Sequence, residues 1–333
     1  MDPVVRAAEA LRAAGRVLLA CHVNPDGDTM GSALALGLAL QHAGKKVTLV
    51  SPDEVPLPYH FLPGSHQFQR SVPEGDYDVA AALDCDGESR MGSAAPAVRR
   101  AAQVIEIDHH TGTDRFGDIV VVDPTAAATG ELVFGLLRLL ALPITADVAT
   151  NLYVALMTDT GSFRFANTTA RCLRIAAELV DCGADPFRIA DHVYETRSRA
   201  ATLLLGRALA SLKLSDDGQI AWGRLTAEDF QQAAATDAET EGIVNHLRAI
   251  AGVRVAILLR EVNGKVRVSL RSREPVDVAA VARVFGGGGH RVAAGCTLPL
   301  PLATAERRLL DEARAALHRA PAPGGDGREA PNP

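Results

Sequence analysis

Four short segments of this 333-residue chain concentrate the side chains that bind divalent cations. They are His22-Val23-Asn24-Pro25-Asp26-Gly27-Asp28, Leu83-Asp84-Cys85-Asp86, Asp108-His109-His110 and Thr158-Asp159-Thr160-Gly161. Carboxylates crowded together repel one another and hold protons more tightly unless cations neutralise them. Two cations held by mixed aspartate and histidine ligands make a centre suited to phosphoester hydrolysis. Ions about 3.5–4 Å apart share one water, lower its pKa and neutralise the phosphate, so no side-chain nucleophile is needed. Nitrogen and oxygen donors together favour Mn2+ over Mg2+, which prefers oxygen octahedra; Mg2+ and Co2+ are the alternatives.

Taken singly, none of the segments is diagnostic. Asn24-Pro25-Asp26-Gly27 is a turn sequence, and Asp84 or Asp159 alone would serve as a helix cap. A histidine pair is often a surface feature. Their joint placement after apolar runs distinguishes them, because independent turns have no reason to gather these residue types at one edge.

The elements that must position them alternate. Residues 16–21, 47–51, 77–84, 104–108 and 119–123 have the apolar runs of buried strands, and helices are expected near 30–43 and 93–102. This order predicts right-handed crossovers and a parallel sheet, whose carboxyl ends share a crevice where the segments converge. Residues 130–194 are mainly helical in pattern, and 199–210 has the pattern of a helical connector. Beyond it, Asp216-Asp217-Gly218 and Asn263-Gly264 each separate two strand-like runs, as hairpin turns do. The expected fold class is α/β: a parallel-sheet domain over 1–195, a helical linker over 196–211, a smaller α/β domain with a mixed sheet over 212–319, and a disordered tail over 320–333.

Composition narrows the function. Hydrophobic residues are 47% and charged residues 22% of the chain, an ordinary globular balance. A net charge of −6 argues against coating long nucleic acid, and 4% aromatic content argues against an extended stacking platform. The five cysteines form no CxxC pair, which fits reduced thiols. No basic region followed by a long apolar stretch opens the sequence, so the expectation is a soluble cytoplasmic protein without a membrane partner.

Gly286-Gly287-Gly288-Gly289-His290 is a second unusual element. Consecutive glycines expose backbone amides and admit positive φ, so a phosphate can approach closely; a flexible hinge explains them equally well on physical grounds. Ser269-Leu270-Arg271-Ser272-Arg273 precedes it and offers guanidinium groups for phosphate.

The four segments resemble the four motifs of the DHH phosphoesterase superfamily, named for its Asp-His-His element. That resemblance implies that His22 and Asp26 hold one metal, that Asp28, His109 and Asp159 hold another, and that Asp84 bridges them, usually with manganese. It implies that His110 meets the substrate phosphate, while Asp108 orients the histidines. Residues 212–318 resemble the DHH-associated domain, with Arg271 and His290 as substrate residues and Gly287, Gly288 and Gly289 lining a loop. The active site is then expected in the cleft between the domains. Domain order and Thr158-Asp159-Thr160-Gly161-Ser162-Phe163-Arg164-Phe165 resemble a subgroup of bifunctional oligoribonucleases and 3′-phosphoadenosine 5′-phosphate phosphatases. The expected substrates are short RNA or mono- and dinucleotides, without long-duplex nucleic acid, and the expected assembly is a homodimer. A cyclic dinucleotide phosphodiesterase is the alternative enzyme, and a non-catalytic metal-dependent nucleotide sensor the alternative class.

Overall fold

The computed structural model describes residues 2–112 and 114–320; the side chain of His290 lies outside the described residues, as does the segment 321–333 expected as a disordered tail. The chain divides into two compact units, with the boundary between Thr196 and Arg197. No described helix is long and apolar enough to cross a membrane.

In the first unit, six strands form one sheet: β1 (Arg16–Ala20), β2 (Lys46–Val50), β3 (Phe68–Gln69), β4 (Val79–Leu83), β5 (Gln103–Asp108) and β6 (Ile119–Val122). All pairings are parallel, in the order β3-β2-β1-β4-β5-β6. Strand order reverses between β1 and β4, the position where open parallel sheets leave a crevice beyond their carboxyl ends. His22 follows β1, Asp84 follows β4, and Asp108 ends β5, so the topology delivers three of the four segments to one edge. The two-residue edge strand β3 was not expected; it is too short for an apolar pattern to betray it.

Among the described residues, seven α-helices accompany the sheet: α1 (Pro3–Ala13), α2 (Gly27–His42), α3 (Ala95–Arg100), α4 (Thr129–Leu139), α5 (Ala146–Asp159), α6 (Ala170–Asp181) and α7 (Pro186–Tyr194). Strand residues alternate between two cores. Val17 and Leu19 join α1, α2, α4 and α5 in the larger cluster, while Leu18 and Ala20 join Met91 and Val98 on the other side. Both faces are therefore covered, as the near-continuous apolar strands require. Helix α2 is apolar around most of its circumference and is accordingly buried, with α5 packed against it. Gly31 makes that approach possible: a β-carbon there would lie 2.3 Å from the Asn151 carbonyl oxygen.

The second unit begins with α8 (Arg199–Ala210). This helix covers the segment expected as a linker, yet it buries Leu204 and Ala208 among Ala221, Leu225, Ala256 and Leu258 of its own unit. Strands β7 (Lys213–Leu214), β8 (Ile220–Leu225), β9 (Val255–Val262), β10 (Lys265–Ser272), β11 (Gly288–His290) and β12 (Ala293–Pro299) form a mixed sheet in the order β11-β12-β10-β9-β8-β7. Only β8 and β9 run parallel; the other pairs are antiparallel. The β9–β10 hairpin turns at Asn263 and Gly264, both in the left-handed region that such two-residue turns need. Helices α9 (Ala227–Ala233), α10 (Ile243–Arg248), α11 (Val278–Val284) and α12 (Leu302–Arg319) complete the unit.

Candidate metal centre

In three of the four segments a cap or turn sets the ligand side chain. After β1, Asp26 caps α2, its Oδ1 accepting the amides of Asp28 and Thr29. Capping thus fixes Asp26 and places Asp28 in the first turn of the helix. Asp84 is held with φ +62 immediately after β4 while its amide donates to the Ile107 carbonyl. A left-handed conformation costs a non-glycine residue about 1–2 kcal/mol, and here it turns a buried carboxylate into the crevice. Asp159 ends α5, and the following turn at Gly161, Ser162 and Phe163 keeps φ near +60 for three residues. That turn brings the chain back, so that the Asn167 side-chain amide donates to Asp159 Oδ2 at 3.2 Å.

The six residues expected as ligands meet in the first unit, with His110 beside them. His22, Asp26 and Asp84 offer donor atoms within 4.8 Å of one another, and so do Asp28, His109 and Asp159. Asp84 joins the two sets: Oδ2 lies 3.5 Å from His22 Nε2, and Oδ1 lies 3.6 Å from His109 Nε2. His109 Nε2 also lies 3.8 Å from Asp28 Oδ2 and 3.6 Å from Asp159 Oδ2. These separations are too long for hydrogen bonds. They are a few tenths of an ångström wider than the roughly 3.0–3.4 Å between neighbouring donors bound at about 2.1 Å to one ion.

Backbone carbonyls favour, for both ligand histidines, the tautomer that coordination requires. His22 Nδ1 is 2.9 Å from the Val23 carbonyl oxygen and His109 Nδ1 is 3.2 Å from that of Ala126, so Nδ1–H donates and Nε2 turns toward the carboxylates. Asp28 is held by the start of α4: the Thr129 amide donates to Oδ2 at 2.7 Å and the Gly130 amide to Oδ1 at 2.9 Å. The Thr129 hydroxyl donates to Asp84 Oδ1 at 2.9 Å. One helix N-terminus thereby orients two carboxylates from other segments.

Charge within the cluster is unbalanced without a cation. Burial and the nearby Asp84 carboxylate raise Asp28 well above the ordinary value, and burial raises Asp159 to about 7 against the pull of His109. Burial alone would lower His22, but Asp26 and Asp84 outweigh it and push the imidazole up to about 10. Asp84 is held below its ordinary range despite burial, with His22 the largest opposing influence. Divalent cations would relieve this crowding, and the donor set fits two such ions.

Asp108 is buried, and the histidine ring its side chain holds is that of His110. Its Oδ1 accepts from His110 Nδ1 at 2.6 Å, and His110 Nδ1 is also 3.6 Å from Asp84 Oδ1. Burial would lower His110, but Asp108 and Asp84 raise it to about 9. Thr129, Asn167 and Arg115 were not singled out from the sequence. Thr129-Gly130 at the start of an apolar helical run was the available signal, since such a start exposes amides to an anion.

In the second unit, Arg271 is half-buried on β10, and its Nη1 donates to the Leu270 carbonyl at 3.1 Å. Its neighbours are more committed: Arg267 pairs with Asp237, and Arg273 donates to the Arg248 carbonyl. Glycines 288 and 289, expected to line a loop, belong instead to the edge strand β11, with Gly287 just before it. A β-carbon at Gly287 would lie 2.2 Å from the Gly295 carbonyl oxygen, so close approach of β12 accounts for that glycine without a ligand. The expected role of the His290 side chain lies outside the described residues; the backbone register sets position 290 opposite Ala293, which pairs in turn with Arg271.

Known proteins share this organisation. The DHH family, N-terminal domain, matches residues 16–156, and the DHHA1 domain matches residues 220–319. The chain is 37% identical over 318 residues to the bifunctional oligoribonuclease and PAP phosphatase NrnA of Thermus thermophilus, covering 94% of each protein. It is 28% identical to the protein of the same name from Bacillus subtilis, across 85% of this chain and 89% of that one. Among solved structures, an exopolyphosphatase-related protein from Bacteroides fragilis superposes with a TM-score of 0.88 at 27% identity, covering 95% of this chain and 97% of that one.

Proposed function

The chain belongs to the DHH family, and on that premise we propose that it is a two-metal hydrolase that cuts short oligoribonucleotides to nucleoside monophosphates and removes the 3′-phosphate of 3′-phosphoadenosine 5′-phosphate. The observation that carries this reading is the Asp84 carboxylate, whose two oxygens face two separate sets of nitrogen and oxygen donors. The names of the Thermus thermophilus and Bacillus subtilis relatives support the substrate class.

In the proposed site, His22 and Asp26 would hold one cation, Asp28, His109 and Asp159 the other, and Asp84 would serve both. Such a pair, probed first as Mn2+, would supply positive charge to the phosphate and acidify the attacking water. His110 stands beside the phosphate and delivers a proton to the departing oxygen, while Asp108 holds its ring. Val23 and Ala126 fix the tautomers of the ligand histidines through their carbonyls, and Thr129 orients Asp28 and Asp84. Arg271 and the strand at Gly288–His290 are assigned to the nucleotide end of the substrate. All five cysteines are unpaired, and the proposal places the reaction in a reducing cytoplasm, with a homodimer as the assembly the family resemblance implies.

Purified protein with Mn2+ should be given a 5′-phosphorylated diribonucleotide, 3′-phosphoadenosine 5′-phosphate, cyclic dinucleotides and pyrophosphate, with products separated by chromatography. The proposal expects nucleoside monophosphates from the first and AMP with phosphate from the second. Exclusive turnover of pyrophosphate or of cyclic dinucleotides would replace it with another hydrolase, and binding without turnover would make the protein a sensor.

A further inference from the structure

Behind the proposed catalytic histidine lies a buried ionic network that none of the four metal-binding segments predicts. Glu106 on β5 is fully buried, as is Asp108 two residues later on the same strand. Alternation along a strand puts these two side chains on the same face, where two unpaired carboxylates would be strongly unfavourable. Arg115 resolves this from the loop that follows the histidines. Its Nη1 donates to Glu106 Oε1 at 2.7 Å and to Asp108 Oδ2 at 2.8 Å, and its Nη2 donates to the His110 carbonyl at 2.7 Å. The second oxygen of Glu106 accepts the amides of Phe116 at 3.0 Å and Gly117 at 3.2 Å, which ties the loop carrying Arg115 to β5.

We infer that Arg115, anchored by Glu106, is a positioning residue for the proposed reaction: it holds Asp108 and the His110 backbone together so that the imidazole keeps one orientation at the metal centre. This rests on the role of His110 in the proposed function. The two oxygens of Asp108 divide the work. Oδ2 takes the guanidinium, and Oδ1 takes Nδ1–H of His110 at 2.6 Å. A planar guanidinium contacting the carboxylate on one side and the histidine carbonyl on the other leaves the pair little freedom to rotate. Lysine, with a single point of charge, would satisfy Glu106 or Asp108 but not reproduce all three contacts. Arg115 itself touches neither substrate nor metal in this scheme; its effect passes through Asp108 and His110.

Partners beyond the immediate ligands typically change activity by about 10–100-fold when removed. Arg115→Ala should therefore lower kcat for the diribonucleotide roughly 10- to 100-fold with KM within about twofold, and free guanidinium should recover part of that loss. Arg115→Lys should fall between. Because Arg115→Ala strands two buried carboxylates and can fail to fold, the double variant Glu106→Gln/Arg115→Met removes the charge at Glu106 together with its partner. It should unfold near the wild-type temperature and still turn over slowly. Recovery of wild-type kcat in this double variant would overturn the inference, since Arg115 would then only neutralise Glu106. Nitrogen-15 spectra of the His110 ring, assigned with His110→Asn, give a readout independent of turnover. The wild type should show one sharp Nδ1–H resonance shifted downfield by the bond to Asp108, and the double variant a broadened or upfield-shifted one. An unchanged ring spectrum would also overturn the inference. A wild-type enzyme without nucleotide turnover would count against the proposed function alone, and the ring spectrum would still decide the role of Arg115.

Discussion

Protonation decides the charge of the cluster before any cation arrives. With Asp159 raised from 3.8 to about 7, the folded metal-free protein keeps a proton that the unfolded chain has already released. Its contribution to stability therefore falls as pH rises through that window, and the penalty is complete above about 7. Manganese needs the carboxylate bare and His22 neutral, whereas His22 is protonated up to about 10. Mn2+ affinity should accordingly rise roughly tenfold or more between pH 6 and pH 8, with protons released on binding. Calorimetry in buffers of different ionisation enthalpy measures both, and a flat affinity without proton release would refute the assigned ligands. Asp84→Asn removes the shared carboxylate charge and should reduce turnover on the order of 10³-fold. Substantial activity in a variant retaining one ion would contradict sharing. The ligand types were legible in the sequence because cation chemistry permits few substitutes for aspartate and histidine. Thr129, Asn167 and Arg115 were not, because a threonine, asparagine or arginine acquires such a role only from a partner distant in sequence. Thr129 lies 101 positions from the carboxylate its amide holds.

At the scale of elements, the metal centre depends on how closely α2 and α5 pack, since the first carries Asp28 and the second ends at Asp159. Gly31→Ala would force a methyl group to 2.3 Å from the Asn151 carbonyl oxygen. Overpacking of this kind should cost about 1–3 kcal/mol and weaken Mn2+ binding by moving Asp28 away from Asp159. Thermal unfolding with and without Mn2+ tests this; full stability with unaltered metal affinity would show that the close approach is not required. The strands β1, β2, β4, β5 and β6 and most helices were legible from apolar periodicity. The glycine run, which the family resemblance implies to be a loop, forms strand β11 from Gly288 onward, and glycine carries no side-chain pattern that would mark a strand. Its pairing with β12 rests on backbone proximity at Gly287 and Gly289, which a sequence does not display.

For the whole molecule, order along the chain was the informative signal: an alternating first half, then two hairpin turns separated by helices. The division between Thr196 and Arg197 assigns α8 to the second unit, although its isolated helical pattern resembled a connector. Burial of Leu204 and Ala208 makes the difference, and it depends on residues that follow in sequence. If the two units share the work as proposed, damage in the second should affect substrate binding more than chemistry. Arg271→Ala should raise KM for the diribonucleotide roughly 10- to 100-fold, the range for one charge-assisted hydrogen bond, and leave kcat within a few-fold. Steady-state kinetics with unchanged Mn2+ affinity would support that division, whereas unaltered KM would remove Arg271 from the substrate site.

The most direct test is turnover of a 5′-phosphorylated diribonucleotide while Mn2+ is added stepwise to metal-free protein, with bound metal measured at each step. Product should begin to form only as the second ion binds and should saturate at two ions per chain. Full activity at one ion per chain, or none at two, would contradict a metal pair built around Asp84.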